Sequence, residues 1–289
     1  MTIRETLQKT VARLEQNGIE SARSEAEWII SNVLQTTRTE VYLRSLQEFP
    51  AELMARLQKI IDARVQGQPL QYILGYTEFY GRRFACDARA LIPRPETEIL
   101  LETALSYLKK KFPPVPGLSH MAWDIGTGCG NIAVTLAAEL TNFNIIASDI
   151  DLETLQLARA NSAANQVAAR IMLINCPVFA AVRPSRQFAA ICANPPYISC
   201  VEAETLPREV RDFEPPQALF APEDGYYFLR RIIAEAKDFL LPGGLLALEI
   251  GYNQAATVKE LCKAHSEYTE MQFTPDLAGH PRVAAAIRL

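Results

Sequence analysis

This 289-residue sequence has little of what metal centres, membrane spans and nucleic-acid surfaces need. It holds only three histidines, and its six cysteines form no C-x-x-C pair, so we expect no zinc or other metal site. No apolar run approaches the roughly 20 residues that cross a bilayer. The first ten residues, MTIRETLQKT, lack the apolar core of a signal peptide. A cytoplasmic protein with reduced cysteines and no membrane partner is therefore expected.

An excess of positive charge is also missing. The formal net charge is −4 and the pI is about 5.6. A partner held mainly through its phosphates needs a broad basic surface, so direct nucleic-acid binding is not expected, although a local basic patch stays open. The sequence has no internal repeat, and a monomer is expected.

Three regions differ in pattern. Apolar residues recur at helical spacing through residues 1–67, which predicts a small helical bundle whose last helix follows Pro50 and stops at Gly67. Residues 68–95 are rich in aromatic residues, glycine and proline, which predicts a hairpin linking two domains. Residues 96–289 alternate strand and helix patterns, which predicts an α/β domain with a mostly parallel sheet covered on both faces. We expect strands near 121–125, 144–150, 171–175, 188–193, 245–250, 268–274 and 282–289, the last two without an intervening helix and one of them antiparallel at or near the edge.

A glycine-rich turn follows the first of these strands. Its spacing is G-x-G-x-G, and Asp149 ends the next strand about 20 residues later. Glycines let a backbone approach a ligand closely, and a strand-end carboxylate can accept the hydroxyl protons of a ribose. Because the turn has no phosphate-binding lysine, S-adenosylmethionine fits better than a dinucleotide; a glycine-rich turn in another doubly wound protein is the alternative. The candidate cofactor residues in the turn are Gly126, Thr127, Gly128, Cys129 and Gly130.

A second motif, Asn194-Pro195-Pro196-Tyr197, follows the apolar run Phe188–Ala193. Two prolines cannot continue a sheet ladder, and a residue before proline is held extended. The free carbonyls suit a planar –NH2 group, with an aromatic ring against its face. An ordinary turn that ends a strand is the alternative.

With these motifs in view, the chain resembles the HemK-type protein glutamine methyltransferases (the PrmC family), most of all those that act on peptide chain release factors. The likeness spans nearly the whole chain and includes QPLQYILG at 68–75, IPRPETE at 92–98, DIGTGCGNIA at 124–133, NPPYI at 194–198, EPPQALFAPEDG at 214–225 and LEIGYNQ at 248–254.

The resemblance implies a seven-stranded Rossmann-like class I methyltransferase domain at 96–289 and a helical substrate-docking domain at 1–67. It implies S-adenosylmethionine on Gly126–Gly130 and Asp149, with Asn194 near the cofactor. It also implies that the glutamine of a Gly-Gly-Gln motif binds at Asn194–Tyr197, and that release factors are the partners. One departure concerns the adenine pocket, where the family's acidic and bulky residues are replaced by Pro177 and Val178.

The expected mechanism is orientation rather than prior deprotonation, because neither motif contains a histidine or lysine. Asn194, Pro195 and Tyr197 are the catalytic candidates: the Asn194 side-chain oxygen and the Pro195 carbonyl would accept the two N–H bonds of the substrate amide, and Tyr197 would pack on its plane. Arg94 and Glu98 are read mainly as an ion pair of the hairpin and a helix N-terminal charge.

Three alternatives stay open at this point. A ribosomal-protein glutamine methyltransferase would share the chemistry and differ in docking. An adenine-N6 nucleic-acid methyltransferase would also bind a planar –NH2 group, but it must reach a flipped or single-stranded base. A catalytically inactive binding module is the third, because of the altered adenine pocket.

Overall fold

The computed structural model describes all residues, 1–289. The chain folds as two units. The first, called here the helical unit, comprises residues 1–76 and 207–213; the second, the sheet unit, comprises residues 77–206 and 214–289. None of the helices combines the length and the apolar character needed to cross a bilayer.

The helical unit is built from amphipathic helices around one apolar core. Threonines begin two of them: Thr2 and Thr37 each form a capping box with the glutamate three residues later, which satisfies backbone N–H groups that have no partner within the helix. The core contains Leu14, Ile29 and Ile30, none of them exposed. The helices are α1 (Ile3–Gln16), α2 (Ala22–Leu34), α3 (Arg38–Leu43), α4 (Met54–Val65) and α5 (Leu70–Leu74), with α9 (Arg208–Phe213) from later in the chain.

The segment 68–95 differs in part from the predicted hairpin. Its first residues form the helix α5, which ends at Gly75 with a positive φ of 80°. The hairpin itself is shorter and consists of β1 (Tyr76–Phe79) and β2 (Arg82–Ala85). Its two turn residues, Tyr80 and Gly81, both have positive φ, as a tight two-residue turn requires. The sequence of α5, LQYIL, is too short for a helical period to be recognised.

The sheet unit is organised around seven strands in the order β10-β11-β9-β6-β3-β4-β5. The chain runs outward from β3 in one direction and from β6 in the other, so the order reverses between these two strands. Strand β11 is antiparallel to both of its neighbours, β9 and β10. The predicted α/β fold, with an antiparallel strand near one edge, is confirmed. The strands are β3 (His120–Ile125), β4 (Phe143–Asp149), β5 (Ile171–Asn175), β6 (Phe188–Ala193), β9 (Leu240–Glu249), β10 (Gln272–Pro275) and β11 (Pro281–Ile287).

Helices cover both faces of this sheet. Neighbouring residues of β3 point to opposite faces, so Ala122 joins the core under α6 and α7, whereas Trp123 joins the core under α11 and α12. Every residue of β6 is buried, as expected of a central strand covered on both sides. The helices are α6 (Pro95–Lys111), α7 (Asn131–Glu139), α8 (Leu152–Ala164), α11 (Tyr227–Ala236) and α12 (Ala255–Lys263).

The long loop predicted between β6 and about residue 224 contains short regular elements. A small two-stranded parallel sheet, β7 (Ile198–Ser199) with β8 (Phe220–Ala221), lies beyond the end of β6. The helices α9 and α10 (Pro216–Leu219) also fall in this segment. These elements are two to six residues long, below the length at which sequence periodicity is informative.

Candidate active site

The ends of β3 and β6 meet at the point where the strand order reverses. Ile125, the last residue of β3, pairs with Ala193, the last residue of β6. The glycine turn and the Asn-Pro-Pro-Tyr segment therefore begin side by side. Open parallel sheets bind ligands in the crevice beyond such strand ends.

The backbone of the glycine turn has a conformation that is unfavourable for residues with a side chain. Gly126, Gly128 and Gly130 all have positive φ, at 68°, 56° and 86°. A Cβ on Gly130 would lie 3.2 Å from the Cβ of Ala158 and 3.3 Å from its Cα, so glycine allows α7 to begin against α8. A Cβ on Gly126 would meet nothing within 4 Å. The turn thus combines close helix packing on one side with open space on the other.

Two aspartates hold the turn. Asp149 accepts hydrogen bonds from the backbone N–H of Gly128 at 3.0 Å and of Asp151 at 3.1 Å, and burial raises the pKa of Asp149. Asp124 is fully buried and accepts from the Thr127 hydroxyl at 2.6 Å through Oδ2, while its Oδ1 has no partner. Burial raises the pKa of Asp124 to about 7.

Asn161 of α8 joins the turn to the hairpin. Its side-chain amide exchanges two hydrogen bonds with the backbone of Ala85, at 2.7 and 3.1 Å, as a neighbouring strand would. Its Nδ2 also donates to the carbonyl of Cys129 at 2.8 Å. Asn161 is itself 1% exposed, and its one side chain satisfies three backbone groups.

The Asn-Pro-Pro-Tyr segment is anchored from behind by the loop after β9. Gln254 donates to the carbonyl of Tyr197 at 3.2 Å and accepts from the N–H of Gly251 at 2.9 Å. Gly225 packs against the same carbonyl: a Cβ at Gly225 would lie 2.7 Å from the Tyr197 oxygen, closer than real Cβ contacts allow. The segment is therefore fixed at its far end while Asn194 and Pro195 stay at the strand end.

The Asn194 side chain is oriented by a buried hydrogen-bond network. Its Nδ2 donates to the Thr97 hydroxyl at 3.1 Å, and that hydroxyl donates to Glu249 Oε2 at 2.6 Å. The other oxygen of Glu249 accepts from the Tyr197 hydroxyl at 3.3 Å. Neither Asn194 Oδ1 nor the Pro195 carbonyl makes a hydrogen bond within the protein. These two acceptors remain for a ligand.

One cavity brings most of the predicted residues together. It is lined by Gly126–Cys129 of the glycine turn, by Asp149 and Val178, and by the strand end Asn194–Pro196. Gly130 is not in the lining and packs against Ala158 instead. Tyr197 is absent from its lining: its ring packs with the core on the α11 side, and its hydroxyl is bonded to Glu249. Glu98 is absent too and instead accepts from the N–H of Tyr80 at 2.7 Å.

The charges in the cavity suit an adenosyl donor with an amino-acid tail. Its two arginines, Arg89 and Arg94, are ion-paired with Asp87 and Glu214, so neither is a free cation for a phosphate. Asp149 is the one carboxylate in the lining and stands where a ribose hydroxyl pair needs an acceptor. This donor set, with the open space at Gly126, fits S-adenosylmethionine.

The cavity wall to which the resemblance assigns the adenine has no acidic residue. Cys176, Pro177 and Val178 line the cavity and offer no carboxylate to an adenine amine. Val178 has a φ of 51°, a left-handed conformation that is strained for a β-branched residue.

The sequence motifs do not reveal the roles of the residues that position the site, although three of these residues lie within IPRPETE and LEIGYNQ. Thr97, Glu249, Gln254 and Asn161 lie outside the predicted set, although all are buried and polar. Glu249 could be identified from the sequence, because it is the one charged residue in the apolar run LLALEIG and a buried carboxylate needs hydrogen-bond partners. Thr97 lies in the motif IPRPETE, but nothing local in the sequence identifies its partner, which lies 152 residues away.

Comparison with known proteins agrees with this geometry. Residues 5–75 match the family described as PrmC N-terminal domain, and residues 97–207 match the methyltransferase small domain. A release factor glutamine methyltransferase of Koribacter versatilis is 36% identical over 283 residues, 98% of this chain and 97% of that protein. One of Moorella thermoacetica is 37% identical over 288 residues, 100% of this chain and 99% of that protein.

Solved structures share the fold at low identity. The hMettl16 catalytic domain in complex with MAT2A 3′UTR hairpin 1 is 17% identical, with a TM-score of 0.56 over 85% of this chain and 84% of that one. A methyltransferase from Pyrococcus furiosus is 19% identical, with a TM-score of 0.50 over 81% of this chain and 98% of that one. The sheet unit thus has the class I methyltransferase fold, and with relatives similar over nearly its full length the chain belongs to the release factor glutamine methyltransferase family.

Proposed function

We propose that this protein methylates the side-chain amide nitrogen of the glutamine in the Gly-Gly-Gln motif of peptide chain release factors, with S-adenosylmethionine as the methyl donor. The observation that carries the proposal is the orientation of Asn194. Its Nδ2 is committed to Thr97, so its Oδ1 is left, beside the Pro195 carbonyl, at the wall of the cavity that also holds the glycine turn. Two acceptors at one strand end match the two N–H bonds of a carboxamide.

These acceptors would act on the nitrogen that is methylated. An amide nitrogen is a weak nucleophile because its lone pair is shared with the carbonyl group. Hydrogen bonds from its two N–H groups to Asn194 Oδ1 and the Pro195 carbonyl raise the electron density on nitrogen, and they strengthen as positive charge develops there. Pro196 would border the substrate amide, and the ring of Tyr197, packed in the core on the α11 side, would support this segment from behind. No histidine or lysine lines the cavity, which favours orientation over deprotonation by a strong base.

The cofactor would be held by the residues on the other side of the cavity. Bound S-adenosylmethionine supplies an electrophilic methyl group on a sulfonium. We assign the ribose hydroxyls to Asp149, the amino-acid tail to the turn Gly126–Gly130 and the adenine to the apolar wall at Val178. We assign release factor docking to the helical bundle at 1–67, because that region matches the PrmC N-terminal domain.

Mass spectrometry tests this function directly. Purified protein, S-adenosylmethionine and a release factor are expected to give a release factor that gains one methyl group on the glutamine of Gly-Gly-Gln. A release factor with that glutamine replaced by asparagine is the matched control and should gain none. Methyl transfer to a ribosomal protein or to adenine in DNA, with none to the release factor, would contradict the proposal.

The variant Asn194→Ala tests the role of the amide. It removes one of the two acceptors, and loss of one such group typically lowers kcat by about 100-fold or more. Because Asn194 is only partly buried, the melting temperature should change little. Near-normal turnover by the folded variant would show that Asn194 does not have this role.

A further inference from the structure

The hydrogen-bond network behind Asn194 is almost inaccessible to solvent, although Thr97 borders the cavity. Glu249 is 2% exposed and lies at the end of β9. Thr97 is 1% exposed and lies in the first turn of α6. With so little exposure, each must satisfy its polar atoms with the other or with the neighbouring strand end.

The direction of each bond in this network follows from the number of protons. An ionised carboxylate only accepts, so at 2.6 Å the Thr97 hydroxyl must give its single proton to Glu249. The same hydroxyl oxygen can then only accept from its other neighbour, Asn194, at 3.1 Å. The Asn194 amide is thereby held with its –NH2 group toward Thr97.

The opposite orientation of Asn194 would defeat the proposed reaction. A 180° rotation of the amide would set its oxygen against the oxygen of Thr97. It would also present –NH2 to the –NH2 of a substrate amide, so two donors would face each other and no acceptor would remain. The rotated form has almost the same shape, so packing alone does not exclude it.

We propose that Thr97 and Glu249 are positioning residues that hold the Asn194 carboxamide with its oxygen toward the methyl-accepting amide. This rests on the proposed function, because it supposes a substrate that offers N–H donors. Glu249 does not line the cavity; Thr97 does, but its hydroxyl is already bonded to Glu249 and Asn194. The Tyr197 hydroxyl occupies the other oxygen of Glu249 and limits rotation of that carboxylate.

The protonation state of Glu249 should determine whether this network holds Asn194 in place. The pKa of Glu249 is raised to about 7, chiefly by burial and also by the carboxylate of Glu96 on α6. The hydroxyls of Thr97 and Tyr197 and the guanidinium of Arg282 on β11 act in the opposite direction and limit this rise. A protonated Glu249 can donate to Thr97, whose own proton is then free to point at Asn194. The constraint on the amide would be lost, so kcat should fall as the pH drops through the pKa of Glu249.

Substitutions at Thr97 separate the hydroxyl from its shape. Thr97→Val keeps the side-chain volume and removes the hydroxyl that links Asn194 to Glu249. We expect kcat on a release factor to fall about 10- to 100-fold, while KM changes less than threefold. Thr97→Ser keeps the hydroxyl and should stay within about threefold of the wild type. Thr103→Val is the matched control on the same helix, because the Thr103 hydroxyl bonds only the carbonyl of Ile99, and it should leave kcat unchanged.

A double variant tests whether Thr97 acts through Asn194. In the Asn194→Ala background, Thr97→Val should cause no further loss of kcat, because the group it positions is already gone. Full additivity of the two losses would overturn the proposal. So would a Thr97→Val enzyme whose kcat lies within threefold of the wild type. Neither result would affect the proposed function if the wild type methylates the release factor.

A readout that needs no substrate is the side-chain –NH2 signal of Asn194 in 15N-labelled protein, identified by its loss in Asn194→Ala. Its hydrogens should exchange with solvent about tenfold faster in Thr97→Val than in the wild type or Thr97→Ser. Equal exchange in all three proteins would overturn the inference even if the activity is lost. As a second check, the decline of kcat below pH 7 should be absent in Glu249→Gln, and a wild-type kcat that is flat from pH 6 to 8 would refute the control by ionisation.

Discussion

The substitution Asp149→Asn tests the cofactor site most sharply. Both oxygens of the Asp149 carboxylate accept a backbone N–H, from Gly128 at 3.0 Å and from Asp151 at 3.1 Å. An asparagine has one acceptor oxygen, so its –NH2 group would face one of these N–H groups. The variant therefore loses one bond that holds the glycine turn and one acceptor for a ribose hydroxyl.

The magnitude follows from the hydrogen bond lost to the ligand. A hydrogen bond to a charged group contributes roughly 1.5–3 kcal/mol. At about 1.4 kcal/mol per factor of ten, the Kd for S-adenosylmethionine should rise about 10- to 100-fold. Isothermal titration calorimetry at pH 8 measures this change, and a thermal melt shows that the variant remains folded.

Asp151→Asn is the matched control for this experiment. It makes the same change in charge two residues away, and the cavity lining does not include Asp151. Asparagine caps a helix as well as aspartate does, so the cap that Asp151 gives to α8 through the N–H of Glu153 is kept. The control should bind the cofactor within about twofold of the wild type. An Asp149→Asn protein that is folded and also binds within twofold would refute the assignment of the ribose to Asp149.

Three further predictions concern the support of the site and the stability of each unit. Gly225→Ala brings a Cβ to 2.7 Å from the Tyr197 carbonyl and displaces the strand end, so kcat should fall about 10- to 100-fold in a methyl-transfer assay. Asp124→Asn should change the pH dependence of urea unfolding. The pKa of Asp124 in the folded protein is about 7 against an ordinary value of 3.8, so its stabilising contribution is complete below pH 3.8 and is lost as the pH rises to 7. The variant lacks this loss, and its stability relative to the wild type should rise by up to about 4 kcal/mol between these limits. Arg64→Met leaves Glu25, bonded to Arg64 at 2.5 Å, as an unpaired charge in the helical unit, which should lower the free energy of unfolding of that unit by about 3–5 kcal/mol in chemical denaturation.

Each of these predictions has a control and a contrary outcome. Gly117→Ala imposes the same strain, since its φ is 79°, but its Cβ would meet no atom within 4 Å; equal losses of kcat in both glycine variants would refute the steric argument. Parallel unfolding curves of Asp124→Asn and wild type against pH would show that Asp124 does not titrate near 7. Arg56→Met replaces an exposed arginine of the same helix, and a loss of stability as large as that of Arg64→Met would rule out the buried ion pair as the cause.

The sequence predicts best those helices and strands whose ends are bounded by residues that typically end such an element. The strands Ile171–Asn175 and Phe188–Ala193 have the bounds that the sequence predicts. Each is an apolar run bounded by a turn or by a proline pair. Strand β9 begins at Leu240 rather than near 245, because its first residues continue through Pro242 and the following glycines, which usually break strands.

Short elements and long-range contacts are the parts that local pattern does not contain. The helix Arg38–Leu43 is absent from the sequence prediction, although Thr37 and Glu40 form the T-x-x-E pattern of a capping box. The grouping of residues 207–213 with the helical unit depends on interactions such as the ion pair of Glu209 with Arg64 at 2.8 Å, between residues far apart in the chain. The hydrogen bonds that orient Asn194 also join residues far apart in the chain. The Asn-Pro-Pro-Tyr motif can therefore be recognised in the sequence, whereas the contacts that support it cannot.

The amide of Asn161 makes the hairpin and the cofactor turn mechanically dependent on each other. One rigid group grips the backbone of Ala85 and the carbonyl of Cys129, so neither segment can open without breaking bonds to the other. A ligand that reduces the motion of the glycine turn should therefore also slow deuterium uptake in the hairpin, even where the ligand does not contact it. Loss of the Asn161 amide would make both segments more mobile. Binding of the methyl donor would then have to order more of the chain and would cost more conformational entropy.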